Sequence, residues 1–454
     1  MYPGAWIFLS MIKSIIRKFI PELVISLYHY ILARFAAAVY KHPSKDMVVI
    51  GVTGTNGKST TVQFIGKMLE HMGERVGWTS TAGFKIADKE WINDKKMTML
   101  GRFQTHRMLC RMRDAGCQYA IIETSSQGLI QSRHVGVQYD AAVFTNLTPE
   151  HIEAHGGFEK YKKAKERLFV ALGKHKEKII NDRSVESVFV VNLDDPHSES
   201  FLSHSADRKI GFGIDEHSEQ KGLTLNSAPA IPSTIEFSAA CTTFTLANLT
   251  FHFAPAGRFN LMNVLAAIAT TRAFGKEWEE IRDAVEALEP VPGRFERIDE
   301  GQPFTVIVDY AYEPAALSAL YEAIELIPHN RIIHIVGSAG GGRDVARRAV
   351  LGTLAAEHDD IIIVANEDPY DEDPMQIIND VADAAVGAGK QDGVNLFRIL
   401  DRQEAINKAV KIAQPDDVVL ITGKGSEPVM AVKNGKKELW DDRDAARKAI
   451  RLQS

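Results

Sequence analysis

Met47-Val-Val-Ile-Gly-Val-Thr-Gly-Thr-Asn-Gly-Lys-Ser-Thr60 decides the fold. Its first half is a continuous apolar run, its second half a glycine-bearing loop, and a helical pattern follows over residues 58–72. The stretch therefore reads as a buried strand, a loop and a helix. In that loop Gly54 and Gly57 permit close backbone approach, while the loop amides and the helix N-terminus face an anion. Lys58 can reach outer phosphates, and the Ser59 hydroxyl can ligate magnesium. The pattern is a phosphate cradle without being a strict Walker A, which asks for glycine where Val52 stands.

Outward from this loop, strand patterns at 119–123, 141–146 and 187–192 alternate with helical patterns at 105–114 and 158–172. Alternation of this kind predicts a parallel sheet covered by helices. Residues 221–254 alternate apolar and polar positions without a helix, as a small antiparallel meander does. Helices are expected at 260–274 and 278–288, after which Pro290-Val-Pro-Gly-Arg294 breaks the pattern. Strands then recur at 304–309, 331–337, 360–366, 395–400 and 417–422, with amphipathic helices between them. The expected fold is α/β, in three parts. A short apolar helical segment spans 1–46, a central P-loop parallel-sheet domain with its meander spans 47–296, and a Rossmann-like α/β domain spans 297–454.

Composition agrees with an ordinary globular protein: 454 residues, 45% hydrophobic and 25% charged, which excludes collagen-like, disordered and disulfide-scaffold classes. A formal net charge of -6 supplies no positive field for a polyanion, so nucleic acid is not an expected partner. Cys110, Cys117 and Cys241 form no CxxC pair and leave an odd count, as in a reducing, cytoplasmic compartment. Residues 6–40 are strongly apolar but interrupted by Lys13, Arg17, Lys18, Glu22 and Arg34, so no spanning helix is expected. They read as helices lying either on the protein's own body or on a membrane. The second reading makes a peripheral contact with Lys13, Arg17 and Lys18 beside Trp6, Phe8 and Phe19.

Three further segments bear chemistry. Glu123 ends a buried strand, where ligands bind in open α/β sheets, and suits either magnesium or plain solvation. His151 and His155 in His-Ile-Glu-Ala-His lie four apart as in a zinc helix, but the Glu comes two residues after the first His instead of directly after it, and His151 fits the nucleotide site better. Gly337-Ser-Ala-Gly-Gly-Gly-Arg343 follows a strand and opens a helix without dinucleotide spacing, which leaves an anion site with Arg343 for a carboxylate.

Taken in order, the motifs resemble the Mur ligase family, most closely its MurE-type members. They are Thr53-Gly-Thr-Asn-Gly-Lys-Ser59, Glu123-Thr-Ser-Ser-Gln-Gly-Leu129, Thr145-Asn-Leu-Thr-Pro-Glu-His151, Tyr161-Lys-Lys-Ala-Lys-Glu-Arg-Leu-Phe169 and Gly257-Arg-Phe-Asn-Leu-Met-Asn263. Pro292-Gly-Arg294, Asp309-Tyr-Ala-Tyr312, Gly341-Gly-Arg-Asp344, Glu367-Asp-Pro-Tyr370 and Gly423-Lys-Gly-Ser-Glu427 follow. The resemblance implies an ADP-forming ligase that uses ATP and Mg2+. It adds a free amino acid to the carboxylate of a peptide-like, cell-wall precursor acceptor through an acyl phosphate. It further implies that Gly54, Thr55, Asn56, Gly57, Lys58, Ser59, Thr60, Asn263, Arg294 and Asp309 bind ATP. Ser59, Glu123, His151 and a carbamylated Lys165 would hold metal, and Ser125, Arg133, Arg343, Glu367, Asp368, Tyr370, Gly423 and Glu427 would contact substrates. Lys58, Glu123, His151, Lys165 and Arg294 are the implied catalytic set, in a monomer. From residues alone, Lys165 reads as a solvated helix lysine beside Lys160, Lys162 and Lys163.

Two departures shape the substrate. About forty-six residues precede the P-loop, where MurE-type members hold the uridine nucleotide in roughly ninety, which leaves open whether the acceptor is UDP-linked, lipid-linked or free of UDP. Glu367-Asp-Pro-Tyr370 replaces the family's Asp-Asn-Pro-Arg, which trades a carboxylate-gripping fork for carboxylates suited to a cationic side chain such as lysine. The rival readings are a folylpolyglutamate synthase-like ligase and a P-loop nucleotide-dependent switch or binding protein.

Overall fold

The computed structural model describes residues 21–149, 155–174, 178–215, 225–342 and 345–453. His151, Arg343, the first twenty residues and residues 221–224 lie outside them.

Val48–Thr53 is buried on both faces because alternate residues feed two cores. Ile50 and Val52 join one, and Met47 and Val49 join the other. In spatial order the central sheet runs Arg208–Phe212, Val188–Asn192, Ala141–Phe144, Val48–Thr53, Tyr119–Glu123, Val76–Thr79, Gly83–Ile86 and Lys89–Ile92. The first six are parallel, and the last two are added antiparallel at the edge. Lys58–His71 and Arg258–Ala273 cover one face, while Arg102–Asp114 and Phe158–Leu172 cover the other. The meander Thr234–Phe237, Thr242–Leu246 and Leu249–Phe253 buries Phe244, Phe251 and Phe253 in the first core.

The second sheet runs Glu296–Ile298, Thr305–Val308, Val418–Ile421, Ile332–Val336, Ile361–Ala365 and Leu396–Ile399, parallel except for its first strand. It begins one residue ahead of the expected division at 296. Asp309, Gly337, Glu367 and Gly423 all follow carboxyl ends of its parallel strands, so the topology gathers them at the one edge where such sheets bind ligands.

Glu22–Val39 is a helix lying on the body: Ala33, Ala36 and Ala37 are buried, and it packs against Arg102–Asp114. Among the described residues no helix is long and apolar enough to cross a membrane.

Candidate functional site

The loop after Val48–Thr53 is held by its neighbours. Thr55 N donates to Asn146 O at 2.8 Å, Asn56 N to Asn146 Oδ1 at 2.8 Å, and Thr145 Oγ1 to Asn56 O at 2.7 Å. This is why the strand expected over 141–146 stops at Phe144: the next two residues are spent on the loop. Gly57 caps the helix at φ +78°, and a Cβ there would stand 2.1 Å from Asn263 Oδ1, so only glycine lets the two approach. Lys58 Nζ donates to Thr55 O at 2.6 Å.

Ser59 Oγ donates to Glu123 Oε2 at 2.8 Å, and Thr81 N donates to the same oxygen at 2.6 Å. Glu123 is buried, so its reading as a solvated strand-end charge is overturned. Lys165 is also buried, which overturns its reading as a solvated lysine. Its amine donates to Gly54 O beneath the loop and lies 4.4 Å from the Tyr161 ring centroid. Tyr161 in turn meets Thr55 Oγ1 at 3.2 Å.

The second domain closes the site. Asn56 Nδ2 donates across the junction to Glu313 Oε1 at 2.6 Å. The Arg294 guanidinium stacks 4.1 Å from the Tyr310 ring centroid. Asp309 is buried, accepts from Phe295 N and Ala311 N at 2.6 Å each, and has its carboxyl pushed up by burial against the pull of Arg294.

Three adjoining hollows meet here, all lined by Tyr310 and Tyr312. A crevice of about 370 Å³ is lined by Asn56, Gly57, Thr60, Asn263, Arg294 and Asp309, among others. A second hollow of about 80 Å³, over the loop from Thr55 to Thr60 and Glu123, shares Arg294, Tyr310 and Tyr312 with the first. A third, of about 170 Å³, shares Thr81, Thr98, Tyr310 and Tyr312 with the second and carries Lys96, Arg347, Glu367, Asp368, Tyr370, Gly423 and Glu427.

Charges in the third hollow are mostly matched. Lys96 reaches Asp368 at 2.6 Å and Glu427 at 3.3 Å. Lys424 reaches Asp368 at 3.0 Å and Glu427 at 2.6 Å. Burial works against the Lys424 ammonium, yet Glu427 and Asp368 outweigh it and hold it above its ordinary value. Asp368 is thus already neutralised and is not an open partner for an incoming cation, which corrects the expectation that both carboxylates serve that purpose. Glu367 differs: it is buried, its Oε2 has no hydrogen-bond partner among the described residues, and burial lifts its carboxyl to about 7.

Ser125 caps the short helix Ser126–Ile130 through Gly128 N, and Arg133 is engaged by Gln131 and Met99 O, so neither lines these hollows. His155 Nε2 meets Ser126 Oγ at 3.1 Å, and among the described residues no cluster of three His, Cys, Asp or Glu is placed to hold a metal. Lys96, Lys424, Thr81 and Glu313 were not legible as site residues. Lys424 stands inside Gly423-Lys-Gly-Ser-Glu427 and was the one with a motif signal.

Comparison with known proteins identifies the family of the chain. The Mur ligase middle domain matches residues 52–271, and the Mur ligase, glutamate ligase domain matches 293–425. A UDP-N-acetylmuramyl-tripeptide synthetase of Roseiflexus sp. (strain RS-1) is 36% identical over 427 residues, 92% of this chain and 81% of that protein. A UDP-N-acetylmuramoyl-L-alanyl-D-glutamate--2,6-diaminopimelate ligase of Geobacillus kaustophilus is 35% identical over 438 residues, 95% of this chain and 84% of that protein. The solved structure of a ligase of that second name aligns with TM-score 0.58 at 29% identity, over 90% of this chain and 79% of that one. Folylpolyglutamate synthase of Mycobacterium tuberculosis, complexed with ADP and AMPPCP, shares the fold at TM-score 0.65 and 16% identity, over 89% of this chain and 96% of that one.

Proposed function

The chain belongs to the Mur ligase family, and on that premise we propose that it joins a cationic amino acid, L-lysine, to the carboxylate of a UDP-N-acetylmuramoyl dipeptide at the expense of ATP. ATP-dependent, ADP-forming amide ligation in peptidoglycan synthesis is the activity of this family. The observation that carries the assignment of sites is the set of three adjoining hollows, which offer places for nucleoside, transferring phosphate and amine donor.

Each group has a physical task. Asn263 and Asp309 would hold the nucleoside, and the loop amides with Lys58 would take the phosphates, displacing the Lys58 amine from Thr55 O. Ser59 and Glu123 offer two adjacent oxygen donors, which fits magnesium, an ion usually held by one or two protein oxygens together with substrate phosphates. Bound there, the ion would neutralise charge on the phosphates. Arg294, poised between the first two hollows, would face the transferring phosphoryl group. The acceptor carboxylate attacks the γ-phosphorus as the bond to ADP breaks. The amine nitrogen then attacks the acyl carbon, inorganic phosphate leaves, and the amine gives up its proton. Contacts across the junction, such as Asn56 to Glu313, align these partners and exclude water that would hydrolyse the acyl phosphate.

Lysine is favoured because the buried Glu367 Oε2 has no hydrogen-bond partner among the described residues and Tyr370 offers no cationic fork for a second carboxylate. Carbamylation of Lys165 would turn the cation beneath the loop into an oxygen ligand. His151 and Arg343 retain their implied roles as metal ligand and carboxylate contact. We place the enzyme in the cytoplasm, in keeping with three free cysteines, acting as a monomer whose one chain carries both walls of the crevice. Its outward-facing apolar helix Glu22–Val39 supports a peripheral contact with a membrane.

The acyl-phosphate route is tested with an acceptor carrying oxygen-18 in its carboxylate. The released phosphate should carry the label; unlabelled phosphate with labelled peptide product would contradict the route.

A further inference from the structure

The helix Glu22–Val39 is turned inside out for a surface helix. Its body-facing residues are small, Ala33, Ala36 and Ala37, because the contact is tight: a Cβ on Gly136 would stand 2.6 Å from Ala37 Cβ. Its large apolar side chains face away from the protein. Leu23, Leu27, Ile31, Phe35 and Val39 recur every fourth residue, and each is at least half exposed, Leu23 at 80%. Spacing of four drifts only about 40° per step at 100° per residue, so these five form one continuous stripe. Arg34 is the helix's single lysine or arginine, and its side chain lines a cavity instead of joining that stripe.

That cavity, about 620 Å³, is walled by Arg34, His42, Ser44, Lys45, Lys174 and Lys178. Lys178 is matched by Asp140 at 2.6 Å. Arg34, Lys45 and Lys174 have no salt-bridge partner among the described residues. Burial, with Lys45 and Arg34 adding to it, lowers the His42 imidazole below its ordinary value. The stripe and the cavity share a helix, so one surface would meet both. Lys178 Nζ also donates to Met47 O, just ahead of Val48–Thr53, which sets this face at the amino end of the sheet, away from the phosphate loop.

We propose that this face docks the enzyme on a bilayer containing anionic lipids, the stripe entering the headgroup boundary and the cavity taking lipid phosphate; this rests on the peripheral-contact reading above. An apolar stripe flanked by unmatched cations is the charge pattern of a helix lying in an anionic interface. A second copy of this chain is a poor occupant, since a two-fold pairing of the stripes would bring two cationic cavities together. Docking would leave the nucleotide crevice open to solvent.

The test is flotation of the full chain with vesicles of phosphatidylcholine alone and with about 30% phosphatidylglycerol. Its variants are Arg34→Gln/Lys45→Gln/Lys174→Gln and Leu27→Ser/Ile31→Ser, with turnover of a water-soluble acceptor as the control for folding. At about fivefold per basic residue near the surface, the triple variant should bind anionic vesicles roughly a hundredfold more weakly, with turnover unchanged. The serine variant should lose binding to both vesicle types. Equal binding of wild type and triple variant to anionic vesicles would overturn the headgroup site and leave peripheral contact standing. No binding of wild type to either vesicle would overturn both. A dimer in solution that Leu27→Ser/Ile31→Ser abolishes, without vesicle binding, would assign the stripe to a second copy and overturn the proposal.

Discussion

Ser59 Oγ donates to Glu123 Oε2 across 2.8 Å, which joins the first turn of the phosphate-loop helix to the carboxyl end of the neighbouring parallel strand. Both residues line the small hollow over the loop, and Thr81 N donates to the same carboxylate oxygen at 2.6 Å. Glu123→Gln keeps the shape and removes the charge. Its turnover should fall about 10²–10³-fold, with a raised magnesium requirement, because a charged oxygen ligand is lost where phosphate charge moves. Magnesium titrations of ADP release check this; an unchanged magnesium midpoint would refute the assignment.

Lys58 opens the helix after the phosphate loop and at rest donates to Thr55 O at 2.6 Å. Lys58→Ala should lower phosphate release about 10³-fold or more while shifting the thermal midpoint by no more than a few degrees. Wild-type turnover in this variant would remove the phosphate loop from the mechanism.

What was legible and what was not divides by range. The run from Met47 to Thr60 shows its strand, loop and helix because every determinant is local. The Lys96–Asp368 pair is invisible in sequence, since its members stand 272 residues apart and Lys96 sits in a polar loop with no motif around it. That hidden pair is why Asp368 reads in sequence as an open carboxylate and is not one. The edge strands Gly83–Ile86 and Lys89–Ile92 are too short for a periodicity to show. For Glu22–Val39 the apolar character is plain, but the choice of face follows from Gly136, which demands alanines and turns the large side chains outward.

Glu367 should leave a pH signature on stability. Burial lifts its carboxyl from 4.5 to about 7, so between those values the folded protein keeps a proton that the unfolded chain has released. Stability from this group is therefore full below pH 4.5, falls as pH rises to 7 and stays reduced above it, by on the order of 3 kcal/mol. Glu367→Gln should match wild type in urea unfolding near pH 4.5 and exceed it at pH 8; an equal difference at both would contradict the burial argument. The same variant should raise KM for the amino acid.

Arg402 and Asp442 form a fully buried pair, with guanidinium nitrogens 2.8 Å from both carboxylate oxygens. Arg402→Met strands the Asp442 charge and should cost about 3–5 kcal/mol in chemical denaturation, whereas adding Asp442→Leu should recover most of that loss. A double variant no more stable than the single one would show that the pair is not the source of the cost.

The central claim is ligation of an amine to a muramoyl-peptide carboxylate. Phosphate release with ATP and magnesium, measured across the twenty amino acids and diaminopimelate, with and without UDP-N-acetylmuramoyl dipeptide, tests it most directly. The account predicts release only when that acceptor and lysine are both present. Release without any amine acceptor, or turnover that requires a folate and glutamate instead, would contradict it.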